Sequence, residues 1–328
     1  MKGRKITMEY KLIVSSSPHI HNEEAVSDIM LDVIIALLPA AFMGTYYFGY
    51  RALIVLLTAV AACMASEYFY EKLMGKKVTV NDLSAALTGL LLGLNMPPAV
   101  ELWQVIIGSV FAIVLVKQLY GGIGKNFVNP ALAARCFMVV SWAGTMTKFP
   151  NPLTSADSIS SATPLAILNG TSDGIIPTVF ETFVGKTAGS IGETSAIMLI
   201  IGFVYLLVRG VVKCRIPLAC ILSFVVLTAL FGRNVHNIET LKYVLLQVFS
   251  GGFLLGAFFM ATDYTTTPTT KSGQIIFGIG CGVITFVIRN FGGYPEGVSF
   301  AILLMNLVTP LIDRYTIPKS FGEVKKNA

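Results

Sequence analysis

One threonine in this chain stands in surroundings that suit chemistry at its hydroxyl group. Thr163 follows Ser160, Ser161 and Ala162 and precedes Pro164. The small neighbours leave the hydroxyl uncrowded, and a following proline disfavours helix at Thr163 itself. An exposed, extended threonine of this kind suits an external modifying enzyme. By composition alone the signal is weak, because a loop rich in Ser and Thr is most often simply solvated.

Ionisable side chains within apolar segments are a second group of candidates, because charge inside a bilayer is costly and often functional. The candidates are Asp32, Glu67, Arg135, Asp263, Arg289 and Asp313. Asp263 is the best candidate for a cation site, since nearby threonine hydroxyls, including Thr267, and freed backbone carbonyls suit a hard cation. The alternative is that Asp263 only caps the following turn. Glu67 and Asp313 lie near predicted helix ends, which favours the membrane interface.

The composition of the chain predicts the elements that position these residues. Of 328 residues, 54% are hydrophobic and 13% charged, whereas soluble domains are about a quarter charged. Apolar runs of about 20 residues, the length that crosses a bilayer, recur along the chain. We therefore predict an all-α polytopic membrane protein. The first apolar run begins near Ile29, too late for a cleaved signal peptide.

Charge and cysteine content narrow the function classes. The net charge of +6 comes from basic residues between the predicted spans, so topology explains it better than nucleic-acid binding. None of the five cysteines forms a CxxC pair, which disfavours a disulfide or an iron–sulfur site within the chain. The three histidines are scattered outside the spans, and we expect no metal site.

Ten transmembrane helices are predicted, at about 28–47, 52–70, 82–95, 101–119, 128–145, 194–210, 216–232, 242–261, 274–291 and 298–313. The third is short and ends at Asn95-Met96-Pro97-Pro98, as a broken helix would. With the N-terminus inside, 17 of the 24 Lys and Arg residues lie on cytoplasmic segments and six outside, with Arg135 uncounted. The positive-inside rule then places both termini in the cytoplasm.

This topology divides the chain into five parts. They are a cytoplasmic segment 1–27, a first membrane half 28–145, an extracytoplasmic loop 146–193, a second membrane half 194–313 and a cytoplasmic tail 314–328. The halves resemble each other: GLLLG at 89–93 corresponds to GFLLG at 252–256, and YGG at 120–122 to FGG at 291–293. Five helices per half require an inverted repeat. Ordinary helix packing through small residues is the alternative explanation of the glycine pairs.

Several ordered motifs resemble those of one membrane-protein family. The segment ending in Thr163 is similar to its S(G/S)AT flavin-attachment motif, with Ser161 where glycine is commoner. GGIGKNFVNPAL at 121–132 resembles its GGxGxNxxNPA element, and TDYTTTPTT at 262–270 resembles TDPxTxPxT, with Tyr264 where proline is usual. Residues 290–298 and 305–313 resemble its final-helix signature. These motifs identify the chain as a member of the RnfD family, over roughly residues 20–318.

The resemblance implies a fold, a cofactor and partners. The fold is similar to that of urea channels, and FMN is attached covalently to Thr163 through a phosphoester by a flavin transferase. The family belongs to a complex that passes electrons between ferredoxin and NAD, coupled to Na⁺ or H⁺ movement across the bacterial or archaeal cell membrane. The expected partners are the other Rnf subunits, especially flavinylated RnfG on the outer face, and the lipid bilayer. A second, non-covalent riboflavin is also implied.

Further site residues follow from the same resemblance. Asn126, Asn129 and Arg135 are candidates for a flavin site, while Asp263 and Thr267 are candidates for an ion path; Asp263 also suits the flavin site. Arg135 either pairs with a flavin phosphate or a carboxylate, or only stabilises the helix bundle. No residue of the chain is expected to be catalytic by itself.

Two other functions compete with the flavin-bearing electron carrier. A passive channel or secondary transporter for a small polar solute would suit an inverted repeat with broken helices, but it would not need Thr163. A bare assembly scaffold predicts that electron transfer survives the loss of Thr163.

Overall fold

The chain is all-helical in the computed structural model, which describes residues 25–152, 162–233, 239–293 and 296–318. The first half contains α1 (Val26–Phe48), α2 (Tyr50–Leu73), α3 (Ser84–Leu94), α4 (Leu102–Gln118), α5 (Pro130–Ser141) and α6 (Ala143–Met146). Two short helices follow, α7 (Pro164–Leu168) and α8 (Val179–Val184). The second half contains α9 (Ala196–Val208), α10 (Arg215–Phe231), α11 (Thr240–Phe249), α12 (Phe253–Met260), α13 (Lys271–Phe291) and α14 (Val298–Thr316).

The lengths of these helices make the protein a multi-pass membrane protein. Four of the described helices, α1, α2, α13 and α14, are long and apolar enough to cross a bilayer, and α11 with α12 would add a fifth. The remaining large helices are apolar but have 17 residues or fewer. Each of the ten predicted ranges contains helix, so the positions of the elements were predictable, although the length criterion alone supports four or five spans.

Two of the predicted helices are interrupted. The predicted helix at 242–261 breaks between α11 and α12, which meet at 62°, because Gly251 and Gly252 adopt the left-handed conformation (φ +69° and +65°) that glycine tolerates. The predicted helix at 128–145 ends at Ser141, and Trp142 separates it from α6. The third helix is short as expected and ends at Leu94, followed by the buried stretch 95–98.

Glycines bring the helix backbones into contact where the long helices cover the short ones. A Cβ atom at Gly89 of α3 would lie 2.7 Å from the Ala59 carbonyl oxygen of α2. In the second half, a Cβ atom at Gly278 of α13 would lie 2.7 Å from the Ile216 carbonyl oxygen of α10. These close approaches let each long helix bury a neighbour, which is how small residues hold helices together in a bilayer.

Replacement of Gly89 by valine is expected to lower the thermal stability of the chain. The added methyl groups would overlap the α2 backbone, and such overpacking costs about 1–3 kcal/mol or more. Thermal unfolding of the detergent-solubilised chain, followed by intrinsic fluorescence, measures the change. Gly144→Val is the matched control, because a Cβ atom there meets nothing within 4 Å. Equal midpoints for the two variants would contradict the packing argument.

Candidate functional site

Thr163 lies at the start of a short helix and at the edge of the largest cavity among the described residues. Its backbone is extended (φ −70°, ψ 153°), as Pro164 predicts, and its Oγ1 accepts a hydrogen bond from the Ala166 amide at 3.2 Å. The side chain is half-buried, so the expectation of an exposed hydroxyl is only partly right. Ala162 and Pro164 flank Thr163 directly in the structure, whereas Ser160 and Ser161 lie outside the described residues.

We name the space beside this threonine the Thr163 cavity. It has a volume of about 490 Å³, within the range of pockets that hold cofactor-sized molecules. Its lining includes Thr163, Arg135, Glu296, Phe149 and Phe300. The sequence predicted Thr163 and Arg135 separately, and in the folded chain both residues line this cavity.

Arg135 is a basic residue in the lining of this cavity. It is 3% exposed, and its Nη2 donates to Glu296 Oε2 at 2.6 Å. Of the two partners considered for Arg135, the structure therefore contains the carboxylate. Its Nη1 has no hydrogen-bond partner in the described part of the chain. Because a buried guanidinium donor without a partner is costly, this atom suits an anionic or carbonyl oxygen of a ligand.

Glu193 forms a further acidic group close to Thr163, one that the sequence did not single out. Thr163, Glu193, Glu296 and Ser250 line a small cavity of about 10 Å³, enough for one water molecule. The Ser190 amide donates to Glu193 Oε2 at 3.3 Å. Burial, and then the neighbouring Glu296 carboxylate, raise the pKa of Glu193 to about 7, although Arg135 opposes the shift.

Arg289 closes the break between α11 and α12. Its guanidinium donates to the carbonyl oxygens of Gln247 at 2.5 Å, Ser250 at 2.9 Å and Gly251 at 3.0 Å. It also donates through Nε to the Glu296 carbonyl oxygen at 2.9 Å. The guanidinium carbon lies 5.3 Å from the ring centre of Phe224. Arg289 thus bonds carbonyl groups that the helix break leaves without a helical partner. It also fixes the backbone of Glu296, the residue that pairs with Arg135.

A second cavity lies at the opposite end of α5, and we name it the Asp263 cavity. Its lining includes Asn126, Asn129, Asp263, Lys117 and Ser84. The fold therefore joins Asn126 and Asn129 to Asp263 and not to Thr163. The volume is about 90 Å³, much smaller than that of the Thr163 cavity.

The polar groups of the Asp263 cavity largely bind one another. The Asp263 carboxylate accepts hydrogen bonds from the Thr265 amide and hydroxyl and from the Thr266 hydroxyl, which is the turn-capping arrangement considered above. Asn126 Nδ2 donates to Thr265 Oγ1 at 3.1 Å. Thr267 donates to the Asp263 carbonyl oxygen at 2.7 Å and does not line the cavity. The lining of this cavity therefore does not support the predicted role of Thr267 in an ion path, which stays a prediction.

Glu67 and Lys117 form a buried ion pair at this end of the molecule. Lys117 Nζ lies 2.6 Å from Glu67 Oε1 and donates to Ser84 Oγ at 2.6 Å. Glu67 is 0% exposed, so it faces the inside of the bundle, and its expected place near the membrane interface stays a prediction. Lys117 and Gln118 of α4 reach across to α2 and donate to Glu67 Oε1. Asp313 accepts from the Thr269 amide at 3.1 Å at the end of α14.

Comparison with known proteins agrees with the motifs. The family described as NQR2, RnfD, RnfE matches residues 13–322. The chain is 46% identical over 98% of its length to the D subunit of the Na(+)-translocating ferredoxin:NAD(+) oxidoreductase complex of Acetobacterium woodii, covering 99% of that protein. It is 44% identical over 94% of its length to the proton-translocating counterpart of Clostridium ljungdahlii, covering 96% of it.

More distant relatives carry a broader name. The D subunit of the ion-translocating oxidoreductase complex of Stutzerimonas stutzeri is 38% identical over 91% of this chain and 92% of its own. The resemblance read from the motifs at Thr163, 121–132 and 262–270 is thereby confirmed at the level of the family. By the extent of these matches, the chain belongs to the NQR2, RnfD, RnfE family.

Proposed function

We propose that this chain is the RnfD component of an ion-translocating ferredoxin:NAD oxidoreductase complex, and that it carries FMN esterified to Thr163. The observation that carries the proposal is the Thr163 cavity, where an esterifiable hydroxyl, a buried guanidinium with a free donor and aromatic side chains share one space of about 490 Å³. When bound, the flavin supplies reversible electron transfer, and the protein supplies position and electrostatics.

The residues of the cavity have separate tasks in this proposal. Thr163 holds the phosphoryl end at a fixed point, since its extended backbone continues into α7. Arg135 presents Nη1 to an oxygen of the cofactor while Glu296 holds its other end. Phe149 and Phe300 provide apolar walls and reduce contact with water. A guanidinium in such a dry site favours negative charge on its ligand, because Coulomb interactions are strong at low dielectric.

Several packing relations support the ten-helix inverted repeat. α1 packs on α9 and α5 packs on α14, as elements related by an axis in the membrane plane would. α5 begins at the Asp263 cavity, where Asn129 caps it, whereas α14 begins at Gly297 beside the Thr163 cavity. Each half also has one buried basic residue that bonds a short helix. Lys117 donates to Ser84 at the start of α3, and Arg289 donates to the Gly251 carbonyl oxygen at the break before α12. With both termini cytoplasmic, the Thr163 cavity faces the outer side, where RnfG and the flavin transferase are expected.

The second flavin and the ion path remain predictions. At about 90 Å³ the Asp263 cavity is smaller than the pockets of roughly 300 Å³ or more that hold molecules the size of riboflavin. The residues there thus do not fit the group as they stand, and we derive no step through it. The two most similar relatives named above differ in the ion of their names, Na⁺ against proton, so overall identity does not select the ion.

Electron transfer by the assembled complex tests the proposed function. With Thr163→Val in this chain, ferredoxin-dependent NAD reduction in membrane vesicles is expected to fall to background, together with the ion uptake it drives. Thr171→Val is the control, since Thr171 lies in the same loop but only bonds the Ala166 carbonyl oxygen. A Thr163→Val complex that assembles and keeps full electron transfer would support the scaffold or channel function instead.

A further inference from the structure

Two carboxylates meet beside Thr163, and the structure treats them differently. Glu296 lies 2.6 Å from the Arg135 guanidinium and forms an ion pair with it. Glu193 belongs to none of the ion pairs found among the described residues. The hydrogen bond that its carboxylate accepts in the described part of the chain comes from the Ser190 amide, at 3.3 Å. Because so few contacts stabilise its negative charge, Glu193 is the carboxylate whose charge state can change.

Glu193 is half-buried, and its carboxylate packs closely against two glycines. A Cβ atom at Gly252 would lie 2.9 Å from Glu193 Oε1, and one at Gly189 would lie 3.0 Å from Oε2. The adjoining space is the small cavity that Glu193 shares with Thr163 and Ser250. Its volume of about 10 Å³ matches one water molecule.

Two buried hydroxyl groups next to Glu193 have no partner among the described residues. They are Ser250 Oγ and Ser190 Oγ, on residues that are 5% and 0% exposed. Buried hydroxyls are nearly always hydrogen-bonded to protein or to ordered water. Ser250 lines the small cavity, so its free hydroxyl points to a ligand that is small and polar.

The charged groups that face Glu193 come from three directions. Glu296 precedes α14, Arg135 projects from α5, and Arg289 projects from α13 and lies close enough to interact electrostatically. Arg289 already directs its donors at the carbonyls of the α11–α12 break, and Arg135 is paired with Glu296. Neither guanidinium group donates a hydrogen bond to Glu193 among the described residues, which leaves its carboxylate sensitive to any new negative charge in the cavity.

We propose that Glu193, with one water molecule beside Ser250, is the proton-exchanging group of the Thr163 cavity. This inference rests on the proposed function, because the redox group on Thr163 is what brings the electron. One electron enters the cavity from the reduced carrier that precedes this chain in the complex. One proton enters from the solvent outside: the cavity water accepts it and breaks one of its own O–H bonds as an O–H bond forms on the Glu193 carboxylate. The added proton then balances the added electron, and the water is regenerated. When the electron leaves for the next carrier, the O–H bond breaks and the proton returns to water.

Thr163 links the two events in space. A phosphoester there would add negative charge to the same small cavity, and an added electron nearby adds more. Both disfavour the charged form of a carboxyl group that is already desolvated. Glu193 exchanges a proton and does not itself carry the electron. Its removal should therefore change how the flavin potential depends on pH, and should have less effect on whether the flavin is attached.

The first test uses the full-length chain expressed without flavin transferase. Infrared difference spectra between acid and alkaline pH should contain a protonated-carboxyl band that titrates near neutrality. Glu193→Gln should lose this band, Glu193→Asp should retain it, and Glu101→Gln, at an exposed position, should match the parent. A parent spectrum without such a band, or a band that survives in Glu193→Gln, would overturn the proposal without involving the cofactor.

The second test uses the flavinylated chain and follows the midpoint potential of its flavin against pH. A one-electron couple that takes up one proton shifts by about 59 mV for each tenfold change in proton activity. The parent and Glu101→Gln should share one curve above neutral pH, and Glu193→Gln should have a flatter one. Superimposable curves on a flavinylated chain would overturn this inference alone. A chain that accepts no flavin at all would overturn the proposed function, and this coupling with it.

Discussion

A Thr163→Val chain produced together with a flavin transferase is expected to carry no covalent flavin, whereas the parent chain gains the mass of one FMN. Valine keeps the β-branched shape and removes only the hydroxyl that would be esterified. The lost hydroxyl also caps α7, but such a cap contributes about 1 kcal/mol, which is too little to unfold the chain. The expected loss is therefore one of chemistry, and it should be complete.

Intact-mass measurement and in-gel flavin fluorescence after denaturation check this result. Thr171→Val removes a hydroxyl from the same loop and should keep the full flavin mass. Omission of the transferase should remove the added mass from the parent as well. If Thr163→Val still gained the FMN mass, the attachment site would lie on another side chain, and the assignment of the cavity would have to be abandoned.

The second large effect is expected at Arg289. Arg289→Met keeps a flexible unbranched stem, although a shorter one, and leaves carbonyl oxygens of Gln247, Ser250 and Gly251 without their donor. Each buried acceptor left unpaired costs about 1–3 kcal/mol. We expect most of the variant to be lost as aggregate on detergent extraction, and the remainder to unfold at a much lower temperature than the parent.

Size-exclusion profiles and thermal unfolding measure this effect. Arg314→Met removes an exposed arginine from α14 and should leave both unchanged. Arg289→Lys should lie between the parent and Arg289→Met, because one compact ammonium cannot reach every carbonyl that the planar guanidinium bonds. A normal profile and melting temperature for Arg289→Met would mean that the α11–α12 break does not depend on this side chain.

Much of the fold could be predicted because apolar runs and basic loops are strong signals. The ten predicted ranges all contain helix, and the short third helix ends at Leu94 as its Asn-Met-Pro-Pro sequence indicates. The break after Phe249 was missed, since its neighbours are apolar on both sides and hydropathy does not register a turn. Ser250-Gly251-Gly252 was the available signal, because two successive glycines permit the left-handed backbone found there.

The candidate site was predictable only in part. The motif around Thr163 and the arginine inside the fifth predicted helix both directed attention to residues that line the Thr163 cavity. Glu193 and Glu296 were not selected, because each precedes a helix in a connecting segment where an acidic residue is unremarkable by type. The ion pair of Glu67 was not predicted for a different reason: its partner Lys117 is 50 residues away in the sequence, and only the packing of α4 on α2 brings the two together.

The shortness of half the helices has a consequence for how the chain enters its membrane. Helices such as α3, α5 and α9, with 11, 12 and 13 residues, are below the roughly 20 residues that a lone segment needs. They pack against longer neighbours, as α3 does against α2. Biogenesis is therefore expected to be cooperative: a short segment needs its long companion to stay in the bilayer, and deletion of the companion should send the nascent protein to degradation.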